Sequence, residues 1–177
     1  VHSSPARFDM KKLEAINGDK IRALSAEDFL NWSLPFLKDN GVISGTSEEV
    51  ALVKKALPII QERIIKLAEI PSMLKFLFVE KLVIESDSKE KIKDEQSQEV
   101  LKRSLKELEP LPTWSRESVE TLLRAALIDE MGLKPRVAFG AVRIAVTGSH
   151  ISPPLFESME LLGKDASLLR IKSALNH

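Results

Sequence analysis

The stretch that most constrains the fold runs from Pro135 to Gly163, PRVAFGAVRIAVTGSHISPPLFESMELLG, because it packs two helix starts and two glycine stops around one sharp turn. Pro135 suits a first helical turn, since its fixed φ is compatible with the helix and its missing N–H is not needed there. Val137, Ala138, Val142, Ala145 and Val146 then follow at helical spacing, and Gly148 ends the run. Ser152 followed by Pro153 reads as an N-cap and N1 pair, predicting a second helix with Leu155, Phe156, Met159 and Leu162 on its apolar side and Gly163 at its end. Arg143 projects toward the turn between the two. On spacing alone this corner reads first as an exposed arginine at a helix corner, and second as a place where N–H groups and a guanidinium hold an anion or the acceptor edge of a base.

Other caps and stripes extend the helical reading in both directions. Asp9 with Leu13 and Ile16 predicts a short helix stopped by Asn17-Gly18, and Ser25 caps a run carrying Phe29, Trp32, Phe36 and Leu37 up to Gly41, with a kink at Pro35. Thr46 and Glu49 have the spacing of a capping box. Behind them Val50, Val53, Leu57, Ile60, Ile64 and Leu67 form one continuous stripe with a bend at Pro58, and Arg63 lies beside it. Ile70-Pro71 is expected to end this element, and a further one carries Met73, Phe76 and Leu77.

Around ESDSKEKIKDEQSQE the apolar content falls away, so residues 85–96 read as a charged linker or as the solvated start of a helix that turns apolar at Val100, Leu101, Leu105 and Leu108. PLPTWS breaks that helix and offers caps at Thr113 or Ser115 for a helix through Val119, Leu122, Leu123, Ala126 and Leu127. Leu168, Leu169, Ile171 and Leu175 mark the last element. VRIAVTG alone has strand-like composition, and it has no partner of similar character. The expected fold is all-α, two small helical bundles at 1–84 and 97–177 joined through 85–96.

Composition narrows the functional classes. A chain of 177 residues, 44% hydrophobic, can bury one ample core or two small ones without covalent staples. It has no cysteine, which rules out disulfides and thiolate metal sites. The polar start is no signal peptide and no apolar run reaches membrane length, so a soluble, cytoplasmic protein is expected. The opening on Val1 without Met predicts a fragment or a processed chain. With 26 basic and 26 acidic residues, net charge is zero, which argues against gripping nucleic acid by bulk electrostatics and leaves room for a local basic surface.

Catalytic chemistry does not assemble. His2, His150 and His177 have no second ligand at metal spacing, so no metal site is predicted. GAVRIAVTGS lacks the Gly-Lys-Ser/Thr of a phosphate loop, and no nucleophile elbow occurs. Glu157 and Glu160 are spaced as a solvated helix surface rather than as an acid and base pair.

One resemblance accounts for this pattern. Arg143-x-Ala145-x-Thr147-Gly148, then Ser152-Pro153-x-Leu155-Phe156-Glu157, Leu161-Leu162-Gly163 and the LLRI at 168–171 resemble the end of bacterial glutamyl-tRNA synthetases. RFDMKKLEAINGDKIR resembles the segment where that family's chain enters its anticodon-binding region, with further similarity in ERIIKLAEIP and TWSRESVETLL. The HIGH-like and KMSKS-like motifs of class I catalytic domains do not occur here, so the chain looks like the C-terminal anticodon-binding portion alone. ATP and Mg are then implied only for a catalytic domain outside it.

The resemblance implies that Arg143, Ser152, Pro153, Leu155 and Phe156 read the first anticodon base of tRNA(Glu), the last two as an apolar platform. It further implies that Arg63 reads the third base. An arginine there resembles the discriminating type, because a guanidinium only donates and so suits the acceptors of cytosine better than the donor edge of guanine. A monomer is expected. The competing expectation is an α-helical protein-interaction module with no RNA role, its exposed corner receiving a peptide or a partner helix.

Overall fold

The computed structural model describes residues 17–175, and within them every regular element is helical. The expected all-α class is met. The Asp9 cap and the Leu13 and Ile16 pair lie outside the described residues. Asn17 and Gly18 are not a stop: both belong to α1, at 17–23, which buries Ile21. A Cβ at Gly18 would meet the Ile65 Cα at 3.5 Å, an ordinary contact, so the helix accepts glycine there without requiring it.

The chain divides into two compact units between Phe78 and Val79. In the first, α2 (Ala26–Asp39) starts where the Ser25 hydroxyl accepts from the Asp28 N–H. Its buried side is Phe29, Ser33 and Leu37, and the Ser33 hydroxyl donates to the Phe29 carbonyl. Trp32, which shares the helical spacing of Phe29, Phe36 and Leu37, is 58% exposed because it lies one position off that side. After Gly41, at φ 70°, the chain turns into α3 (Ser47–Gln61).

The Thr46/Glu49 capping box is formed, with the Glu49 carboxylate also accepting from the backbone N–H groups of Ser44 and Gly45. Hydrogen bonds to the charged form hold the Glu49 carboxyl down to about 2, the one from the Thr46 N–H foremost. Val53, Leu57 and Ile60 are buried as the stripe predicts. α3 stops at Gln61, earlier than the stripe suggests. The Gln61 amide donates to the Ile21 and Leu24 carbonyls at 2.8 and 3.0 Å, fastening the end of α3 to the end of α1. A 3₁₀ turn (Leu67–Glu69) leads into α4 (Ile70–Leu74), so Pro71 opens a helix where the sequence suggested an end.

In the second unit, residues 85–96 are ordered structure. They form α5 (Ser86–Glu90), a turn and the start of α6 (Glu95–Leu108), whose N-cap is Asp94. Ser88 and Ile92 are buried there. Ser115 caps α7 (Arg116–Leu123), which runs on as a π-helix over Arg124–Glu130. VRIAVT of the strand-like stretch lies in α8 (Pro135–Thr147) with Gly148 as its C-cap, followed by α9 (Leu155–Leu162) and α10 (Lys164–Ala174). α6, α8 and α10 share the core, built on Val100, Leu101, Val142, Ala145, Met159 and Ile171. The buried Arg170 donates to the Val146 carbonyl at the end of α8 and to the Val79 carbonyl, and burial pushes its guanidinium below the usual arginine range.

Candidate nucleic-acid interface

Arg63 stands in the turn that ends α3, its N–H donating to the Ile60 carbonyl at 2.9 Å. The turn is closed from downstream: the Glu69 carboxylate accepts from the N–H groups of Ile65 and Lys66, at 2.8 and 2.9 Å. That geometry engages the Glu69 carboxylate with backbone N–H groups of the turn. The Arg63 side chain is exposed, and its guanidinium has no hydrogen bond or ion pair with a described residue. Ile65 beside it is also exposed. The turn therefore offers an unneutralised set of donors next to a small apolar surface.

The second corner is built from α8 and the loop after it. Gly148, at φ 82°, reverses the chain, and the Thr147 hydroxyl donates to the Arg143 carbonyl. The half-buried Arg143 donates from Nε to the Ser152 Oγ at 3.0 Å, while the Ser152 hydroxyl donates to the Pro153 carbonyl at 2.7 Å. Ser152 thus orients the guanidinium and does not cap α9. The N-cap is Pro154, with no side-chain cap, and the Ser158 hydroxyl returns to its carbonyl. The physical reason is the Pro153-Pro154 pair, since a residue before proline is driven from the α region and the helix cannot begin at Pro153.

Two further expectations change at this corner. Leu155 and Phe156, expected as a platform for an unstacked base, are 3% and 8% exposed. The Phe156 ring meets Phe139 edge-on, centroids 5.1 Å apart, and the Arg124 guanidinium stands 5.2 Å above the Phe139 ring. Both side chains support the corner from inside. The exposed apolar side chain is Ile151, 68% accessible at the loop tip, which the apolar periodicity passed over because a lone loop isoleucine belongs to no helical stripe. The structure therefore brings Arg143, Ser152 and Pro153 together, buries Leu155 and Phe156 in the start of the next helix, and places Arg63 in the other unit.

Both units are all-helical, and the second holds an arginine at a loop beside an exposed isoleucine. The chain belongs to the anticodon binding domain family, whose family model matches residues 25–175. It is similar to the glutamate–tRNA ligase of Saccharopolyspora erythraea, 44% identical over 99% of this chain and 35% of that protein. The glutamate–tRNA ligase of Nocardioides sp. is 48% identical over 99% of this chain and 36% of its own. Among solved structures, a glutamate tRNA ligase from Elizabethkingia meningosepticum superposes with a TM-score of 0.73 over 92% of this chain and 31% of that one. At 18% identity that likeness speaks for the fold alone.

The chain spans about a third of the length of these relatives, which are enzymes, and it covers only their anticodon-binding part. A protein-interaction module without an RNA role finds no support in these matches.

Proposed function

We propose that this chain is the anticodon-reading part of a ligase that attaches glutamate to tRNA(Glu), acting as a monomer in the cytoplasm. The observation that carries the reading is Arg63: exposed, placed by a turn that engages Glu69 elsewhere, and without a partner among the described residues. A guanidinium so placed donates to the N3 and O2 acceptors of a cytosine as the third anticodon base and meets the donor edge of guanine unfavourably. At the other corner Arg143, oriented by Ser152, donates to the first base, with Pro153 shaping the turn and Leu155 and Phe156 fixing it from beneath. The exposed Ile151 supplies apolar contact in the role first given to those two. ATP and Mg serve the ligation chemistry in the part of the enzyme this chain does not span, and no residue here is given to them. Among the described residues no group of His, Asp or Glu could hold a metal ion, and no helix is long and apolar enough to cross a membrane.

The test is titration of the chain with RNA hairpins carrying the glutamate anticodon or single-base changes, at two salt concentrations. Preference for the glutamate anticodon, with affinity falling as salt rises, is expected. Equal affinity for every hairpin would contradict the reading.

A further inference from the structure

We infer that Ser88, in the charged stretch that reads as a linker, is a positioning residue for the loop that presents Arg143 and Ser152. This deepens the functional reading above and rests on it. The loop from Gly148 to Ser152 is tied to α8 at both ends, by the Thr147 hydroxyl at the Ser149 carbonyl and by Arg143 at the Ser152 Oγ, and between those ties it meets the segment running into α5. The Glu85 N–H donates to the Gly148 carbonyl at 2.9 Å. Gly148 lies so close to that segment that an added Cβ would meet the Val83 carbonyl oxygen at 3.0 Å.

Three residues on, the fully buried Ser88 hydroxyl accepts from the His150 backbone N–H at 3.1 Å and lies 3.0 Å from the His150 Nδ1. Asp87 Oδ2 stands 3.9 Å from the same nitrogen.

Ser88 Oγ accepts from the His150 backbone N–H, and giving its own proton to Nδ1 leaves this buried hydroxyl fully satisfied. The imidazole is thereby held as the tautomer protonated on Nε2. One buried hydroxyl thus secures both the main chain and the side chain of His150, two residues before Ser152. Removing it leaves the His150 N–H without its partner and releases the middle of the loop, while the apolar core and the turn at Arg63 keep all their contacts. The effect falls on the geometry of one reading corner.

The experiment compares the whole chain with Ser88→Ala and His150→Ala, using hairpins varied at the first or the third anticodon base, and records imidazole nitrogen shifts. Discrimination at the first base is expected to fall about tenfold in Ser88→Ala and to fall also in His150→Ala, with discrimination at the third base unchanged, since base contacts are lost one position at a time. The unmodified protein is expected to show the Nε2-protonated tautomer, giving way to a mixture in Ser88→Ala. Unchanged first-base discrimination in a folded Ser88→Ala, or equal losses at both bases, would overturn the inference. Should Ser88→Ala not fold, unchanged discrimination in His150→Ala overturns it instead. Absence of first-base preference in the unmodified protein would retire the functional reading, and the nitrogen shifts would still report whether Ser88 holds the ring.

Discussion

Replacing Arg63 by alanine separates folding from recognition. The side chain is exposed and bonded to no described residue, and the backbone bond from its N–H to the Ile60 carbonyl survives the change. Stability should therefore stay within about 0.5 kcal/mol of the parent, the usual range for a surface substitution away from special features. Recognition should not stay. Losing a guanidinium contact to a base edge costs about 1 to 3 kcal/mol, a factor of about 5 to 150 in affinity, and it should be confined to hairpins carrying cytosine as the third base. Fluorescence anisotropy with hairpins carrying each of the four bases at that position measures both the loss and its selectivity, and urea denaturation checks the fold. A uniform loss over all four bases, accompanied by a salt slope reduced by about one, would mean that Arg63 grips a phosphate, and the assignment to the base would be wrong.

Five other substitutions test the structure that carries the two corners. Thr46→Ala removes the hydroxyl that receives the Glu49 N–H and should destabilise the chain by about 1 kcal/mol in denaturant titrations. Because the Glu49 carboxyl titrates near 2 in the fold against an ordinary 4.5, its stabilising effect is complete above pH 4.5 and disappears as pH falls toward 2. Glu49→Gln should flatten that part of the stability profile. Gly148→Ala should lower the melting temperature, since a left-handed residue with a side chain costs about 1 to 2 kcal/mol and the new methyl would meet the Val83 carbonyl oxygen. Gly140→Ala in the same helix faces open space and should raise stability by about 0.5 to 1 kcal/mol. Phe156→Ala should cost about 3 kcal/mol or more in urea denaturation, because it empties a buried site against Phe139; a near-neutral result would put Phe156 back at the surface.

What could be read from the residues alone was mostly what local chemistry decides. Ser25, Thr46 with Glu49, Ser115 and Pro135 with Gly148 mark helix ends through their own backbone geometry, and each lies where its residue type predicts. The end of α3 was hidden because a carboxylate eight residues after Gln61 captures the N–H groups of Ile65 and Lys66, a contact that leaves no trace in apolar periodicity. Phe156 illustrates a second kind of blindness: an aromatic at the start of an amphipathic helix has the same spacing whether it waits for a base or packs on Phe139. The role of residues 85–96 was obscured for the opposite reason. Ser88 and Ile92 are too few and too far apart to form a stripe among charged neighbours, yet one buried hydroxyl ties the segment to the loop at His150.

The proposed function has RNA contact the turn after α3 and the loop after α8. Amide hydrogen exchange of the chain, alone and bound to a hairpin bearing the glutamate anticodon, measures this directly. The account predicts slowed exchange over residues 62–66 and 148–155 together, both lost when the anticodon is scrambled. Slowing confined to one of these stretches, or equally strong with any sequence in the loop, would contradict it.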